Sequence, residues 1–122
     1  MKFQLANTEG GNTITAYGPG YVDVRGKRHE SSLVVTAETV HALAGIAVDT
    51  LSAEHFAWLA SLAPEIVLLG TGSRLRFPHP SLTRALIDAQ IGLEVMDLGA
   101  ACRTYNLLMG EGRRVVVVLL FD

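Results

Sequence analysis

The sequence has little of what secreted, zinc-binding or membrane-spanning proteins need. It contains one cysteine, Cys102, so it can form neither an internal disulfide nor a cysteine-based zinc site. Its longest apolar run, residues 115–121, is far shorter than the roughly 20 residues of a membrane-spanning helix. The N-terminal residues lack the apolar core of a secretory signal and the pattern of a transit peptide. We therefore expect no membrane insertion and a reducing, cytoplasmic location.

Charged residues are also scarce. They make up 18% of the chain and leave a formal net charge of −2. Nucleic-acid binding requires a basic surface, so we expect no nucleic-acid partner. Hydrophobic residues make up 49% of the chain, which favours an apolar surface covered by a protein partner or by a second copy in a homo-oligomer. A length of 122 residues predicts a single domain, residues 1–122, with its own core.

Histidine and cofactor motifs give no indication of a metal or a prosthetic group. The four histidines show neither an HExxH motif nor paired spacing, which argues against a metal site. The glycines at positions 70 and 72 lack the spacing of the nucleotide-binding motifs GxxxxGK[ST] and GxGxxG. We expect no metal and no cofactor.

The first third of the chain is predicted to be β-rich. Phe3 and Leu5 begin a weak alternating pattern, and β-prone stretches on both sides of residues 18–20, Gly-Pro-Gly, predict a hairpin. Residues 32–36 predict a further strand. The pattern of residues 37–49 fits either a helical turn or a connecting strand.

The rest of the chain alternates between helices and buried strands. Apolar spacing predicts helices at 52–63, 80–91 and 100–109, with Trp58 in the core beside the first apolar stripe. Continuous apolar runs predict strands at 66–69, 93–96 and 115–121 that are covered on both faces. Strand–helix–strand order favours parallel pairing and right-handed crossovers. The expected fold is a layered α/β domain with an antiparallel β-rich N-terminal part.

A candidate site follows from this topology. Ligands of open α/β sheets bind beyond the carboxyl ends of the strands, and a glycine- and arginine-containing turn follows strand 66–69. If strand 93–96 is its parallel neighbour, the start of helix 100–109 lies beside that turn and forms an electropositive cleft. The candidate ligand-binding residues are Gly70, Thr71, Gly72, Ser73, Arg74, Arg76, Asp97, Cys102 and Arg103.

Simpler interpretations of these residues stay open. The glycines could serve only a tight turn, and Arg103 could pair with Asp97 or Glu111. Cys102 lies in the first turn of the predicted helix, where a thiolate would be favoured, although a small buried residue fits as well. No catalytic residue is assigned, and enzymatic activity is left open but not favoured.

Two segments resemble a known family. LLGTGSRLRFP at 68–78 and GLEVMDLGAACRTYNLLMGEGRRVVVVLL at 92–120 resemble the Mth938-like family of unknown function. Its eukaryotic relatives include a mitochondrial complex I assembly factor. The resemblance implies a three-layer α/β fold with a central mixed sheet of about five strands. It implies no established activity, cofactor or catalytic residue.

Two functions are compatible with these observations. The favoured function is a non-catalytic binding or assembly factor that acts through protein–protein contacts. The alternative is a small-molecule, anion-binding protein or enzyme that uses an arginine-lined cleft at the carboxyl ends of the strands.

Overall fold

The architecture is a layered α/β arrangement with two sheets, seen in a computed structural model that describes residues 11–122. The alternation expected around Phe3 and Leu5 lies outside these residues. The strands are β1 (Ile14–Gly18), β2 (Tyr21–Val24), β3 (Lys27–His29), β4 (Leu33–Val35), β5 (Val40–Ala42), β6 (Ile66–Gly70), β7 (Gly92–Met96) and β8 (Val115–Leu119). The α-helices are α1 (Ala53–Ser61), α2 (Arg84–Asp88) and α3 (Leu98–Gly110), and short 3-10 turns occupy Val48–Thr50 and Pro80–Thr83.

The central sheet has five strands in the order β5-β4-β8-β6-β7. β6 pairs in parallel with both β7 and β8, as the sequence predicted. β4 pairs antiparallel with β8 and β5, so the sheet is mixed. The expected fold class is confirmed.

The β-rich N-terminal part forms a separate antiparallel sheet in the order β1-β2-β3. The hairpin expected at residues 18–20 is confirmed, with Gly18 opposite Tyr21. The ambiguous segment 37–49 supplies both expected elements, because β5 is an edge strand and a 3-10 turn follows it.

Two hydrophobic cores lie on opposite faces of the central sheet, and β8 contributes to both. Val115, Val117 and Leu119 point to the core that contains α3 and the three-stranded sheet. Val116, Val118 and Leu120 point to the core beneath α1 and α2. A fully apolar strand is therefore required at this position, because neither face of β8 is exposed to solvent.

The helix boundaries differ from the expected ones in two places. Residues 80–91 contain a 3-10 turn followed by the short helix α2, and the left-handed backbone of Gln90, with φ 59, prevents the helix from continuing to residue 91. α3 begins at Leu98, two residues earlier than expected, because the Asp97 side chain accepts a hydrogen bond from the Ala100 N–H and caps the helix there.

Trp58 was wrongly placed in the core. Its side chain is 36% exposed and packs edge-on against His41 at a centroid distance of 4.9 Å. The reason is helical geometry: Phe56 and Leu59 hold the buried face of α1, and Trp58 is rotated away from it.

Candidate functional site

The loop after β6 and the start of α3 lie side by side at the carboxyl edge of the sheet. Gly70 pairs with Met96 in the parallel ladder, which brings the two strand ends together. The Thr71 N–H then donates to the Met96 carbonyl at 2.9 Å, and the Leu98 N–H donates to the Gly72 carbonyl at 2.9 Å. The structure therefore brings the predicted glycine loop and the predicted helix start together.

Thr71 organises the loop from inside. It is buried, and its hydroxyl donates to the Arg74 carbonyl at 2.7 Å and accepts from the Arg76 N–H at 3.1 Å. These two bonds close a turn over residues 71–76. A threonine hydroxyl that is used twice in this way is not free to contact a ligand.

Gly72 and Ser73 hold a carboxylate of the chain itself. The Ser73 N–H lies 3.2 Å from both Oδ1 and Oδ2 of Asp122, and the Ser73 hydroxyl also donates to Oδ2. Gly72 has φ +88, and a Cβ there would lie 2.0 Å from Oδ1 of Asp122. Glycine is therefore required both for the turn and for the close approach of the carboxylate.

The charge of Asp122 is stabilised by this environment. Hydrogen bonds from Ser73 are the main cause that lowers the pKa of the Asp122 carboxyl, and the nearby charges of Arg74 and Arg76 lower it further. Asp122 is thus negatively charged throughout the neutral range.

The three arginines of the predicted cleft do not share one position. Arg76 forms an ion pair with Asp49, in the 3-10 turn before α1. Arg103 donates to the Tyr17 hydroxyl on β1, rather than pairing with Asp97 or Glu111. Arg74 is exposed on the loop. Only Arg74 and Arg76 act electrostatically on Asp122.

Cys102 faces the core that contains α3. Its side chain is 1% exposed and lies in the second turn of the helix, not the first. Burial raises the pKa of the Cys102 thiol to about 12, although the charge of Arg103 opposes the shift. This environment disfavours a nucleophilic thiolate.

A cleft of about 420 Å³ opens between the β1–β2 turn and the start of α3. Its apolar walls come from Tyr17, Pro19, Leu98 and Phe121. The carboxylate-bearing residues Asp97 and Asp122 also line it, together with the backbone of Gly72 and Ser73. The cleft occupies the place where α/β sheets commonly bind ligands.

Comparison with known proteins identifies the family. The model of the family described as "Protein of unknown function (DUF498/DUF598)" matches residues 14–120. The chain belongs to this family. The Mth938-like resemblance is also confirmed, because a solution structure of a Mth938-like domain from Bordetella pertussis superposes with a TM-score of 0.82 and 33% identity, covering 100% of this chain and 90% of that one.

A second solved structure is also similar to this chain. A crystal structure of a Bordetella parapertussis protein has a TM-score of 0.84 and 42% identity, covering 91% of this chain and 96% of that one.

Curated relatives match over shorter regions. The murine protein named NADH dehydrogenase [ubiquinone] 1 alpha subcomplex assembly factor 3 is 39% identical over 56 residues, which are 46% of this chain and 30% of the murine protein. A Francisella tularensis protein named 13 kDa major membrane protein is 29% identical over 60% of this chain and 59% of its own length. The matches thus span less than two thirds of these two relatives.

Residues 11–122 contain neither a metal-binding cluster nor a helix suited to span a membrane. Within that range no three His, Cys, Asp or Glu side chains are placed to hold a metal ion. None of the helices in the same range has the length and apolar character needed to cross a membrane.

Sequence reasoning missed Asp122, Tyr17 and Phe121. The parallel pairing expected among the three apolar strands was a usable signal for Asp122, since it places the residues after β8 at the same edge of the sheet as the loop after β6. Tyr17 had no such signal, because the position of the small sheet over α3 does not follow from strand order.

Proposed function

We propose that this member of the DUF498/DUF598 family is a non-catalytic binding or assembly protein that acts through protein–protein contacts. The observation that carries the proposal is the loop after β6, where Leu75 is 53% exposed and Phe77 is 70% exposed. Large apolar side chains grouped on a surface are typical of interaction sites.

The charges of this loop narrow the choice of partner. Arg74 and Arg76 alternate with the two apolar residues, so the exposed Arg74 guanidinium and the partly exposed Arg76, which pairs with Asp49, lie beside apolar contact area. A complementary surface would carry carboxylates next to apolar side chains. We therefore infer a partner with an acidic, apolar contact surface.

Two further observations support a non-catalytic role. The buried Cys102, with its raised pKa, is a core residue in the protein and argues against cysteine chemistry. The matched murine relative is named an assembly factor. A buried, unpaired cysteine also suits a reducing compartment, so we place this role in the cytoplasm.

The test is a quantitative comparison of co-purifying proteins. Tagged wild type and the double variant Leu75→Ser/Phe77→Ser are purified from the native cells after cross-linking, and the captured proteins are quantified by mass spectrometry. We expect the loop variant to lose specific partners. The control is Ile87→Ser, which removes an exposed apolar side chain from α2.

Circular dichroism of all three proteins would establish that folding is unchanged. Identical partner profiles for the loop variant and the wild type would contradict the proposal. Equal losses in the Ile87→Ser control would mean that the effect is not specific to the loop.

The alternative function, small-anion binding, is favoured by one observation: Ser73 already holds a carboxylate. In the wild type, a free anion would have to displace Asp122. We therefore expect Asp122→Ala to gain saturable binding of inorganic phosphate, followed through the Ser73 amide resonance. Absence of binding to this variant would remove the alternative.

A further inference from the structure

Two acids of the chain accept hydrogen bonds at the carboxyl edge of the sheet. The Asp97 Oδ1 accepts from the Ala100 N–H at 2.8 Å at the start of α3. Asp122 accepts from Ser73 in the loop after β6. Each carboxylate keeps unused acceptor capacity, since an ionised carboxylate has about four lone-pair sites. The edge therefore presents carboxylate oxygens to a ligand.

The guanidinium groups of this region lie outside the cleft lining, although Arg74 and Arg76 act on Asp122 and Arg103 lies beside Gly99. Arg76 is paired with Asp49, and Arg103 is hydrogen-bonded to Tyr17. Arg74 acts on Asp122 from the loop but does not line the cleft. The lining, within residues 11–122, carries Asp97 and Asp122 and neither lysine nor arginine.

The apolar walls are held in place by contacts within the chain. The Tyr17 ring lies over Gly99, where a Cβ would come within 2.9 Å of the ring atom Cε1. Only glycine at this position lets the ring approach the start of α3. Pro19 on the turn and Phe121 after β8 complete the walls. A preformed apolar cleft with a few placed polar groups is the usual form of a binding site.

We propose that the cleft receives a lysine or arginine side chain of a partner protein, together with an adjoining apolar residue of the same segment. Charge complementarity with Asp97 and Asp122 selects the cationic group, and the aromatic and aliphatic walls select the apolar neighbour. The cleft adjoins the exposed loop through Ser73, so the proposal rests on the protein-binding role and names a second part of the same surface.

The experiment uses three short peptides that differ only in the central residue: acetyl-Phe-Arg-Phe-amide and the peptides in which citrulline or glutamate replaces arginine. Citrulline has nearly the shape of arginine without its charge. Each is titrated into the full chain, and amide resonances of Tyr17, Gly99 and Phe121 are followed by NMR. We expect the arginine peptide to bind roughly three- to ten-fold more tightly than the citrulline peptide, as for one or two partly exposed charged contacts.

Matched variants test the origin of that preference. Asp97→Asn/Asp122→Asn keeps a helix cap and the hydrogen-bond acceptors but removes both charges, so it should abolish the preference. Asp88→Asn, an exposed acid on α2, should leave it unchanged. Added salt should reduce it in the wild type.

The proposal would be overturned if none of the peptides gave a saturable shift, or if the glutamate peptide bound more tightly than the arginine peptide. Hexylammonium, a simple alkyl amine, is titrated as well. If it bound more tightly than the arginine peptide, the cleft would be a small-amine site instead, and the proposal would also be overturned. The loop variant Leu75→Ser/Phe77→Ser should retain the arginine preference. If the peptides fail to bind while the loop variant still loses partners in the cross-linking experiment, only the cleft proposal is rejected.

Discussion

Asp122 and Ser73, 49 positions apart in the sequence, are joined by hydrogen bonds from the Ser73 N–H and hydroxyl to the Asp122 carboxylate. The contact links the residues after β8 to the loop after β6. It also places the charge of an acid where the sequence suggested an external anion. The loop is thus held in its conformation by the chain itself.

The Asp122 contact predicts a pH-dependent contribution to stability. Because the pKa of Asp122 is lower in the folded protein than the ordinary carboxyl value of 3.8, its contribution is present above that value. It is lost as the pH falls through the folded pKa. The difference in Tm between wild type and Asp122→Asn should be positive at neutral pH and shrink towards zero in strong acid. The carboxylate is exposed, so the difference should be small at every pH.

Thermal unfolding followed across that pH range would measure the difference. Asp88→Asn, which affects an exposed ion pair with Arg84, is the control for a surface charge. A wild-type advantage that grows with acidification would contradict the assigned direction.

Val117 is expected to be essential for packing. It is fully buried on β8, and truncation to alanine leaves a cavity that its neighbours fill only in part. We predict a loss of about 1–3 kcal/mol in the free energy of unfolding, measured by urea denaturation. Val40→Ala on the edge strand β5 should cost much less, since Val40 is exposed. Equal costs would show that burial is not the cause.

Asn106 connects α3 to the small sheet. Its side-chain amide donates to the Ile14 carbonyl at 2.8 Å, and its oxygen accepts from the Ile14 N–H at 2.9 Å. Asn106→Ala leaves both backbone groups without these partners, and we predict a cost of about 1–3 kcal/mol. Hydrogen exchange at the Ile14 amide should accelerate. In contrast, Leu107→Ala, an exposed position on the same helix, should leave that exchange rate unchanged.

Cys102 is expected to resist thiol reagents in the folded protein. Its thiol is buried, and its pKa of about 12 leaves almost no thiolate in mildly alkaline solution. Labelling with a disulfide reagent should be slow in the native state and fast in concentrated urea. Rapid labelling without denaturant would indicate local opening of α3.

The central sheet could be predicted because the apolar residues of its strands indicate on which faces each strand is buried. Uninterrupted apolar runs at β6 and β8 require cover on both faces, and the intervening helices impose parallel pairing. Trp58 could not be placed this way, because apolar character does not distinguish the buried face of α1 from its margin.

The candidate site was predictable in location but not in detail. Strand adjacency brought the loop at Gly70 and the start of α3 together. The partners of Arg76 and Arg103, namely Asp49 and Tyr17, come from elements whose positions depend on side-chain packing between layers. Such contacts have no signature in local sequence spacing.

Strand β8 also has a consequence for how the sheet is aligned during folding. Because four consecutive valines form the first four of its five residues, a slip of one position would still present valine to both cores. The middle of the strand therefore discriminates poorly between the native alignment and a shifted one. The two alignments differ more at the two ends of the strand, where Arg113 pairs with Glu65 and the Phe121 N–H donates to the Ser32 hydroxyl. We therefore expect these polar contacts at the strand ends to favour the native alignment over a shifted one.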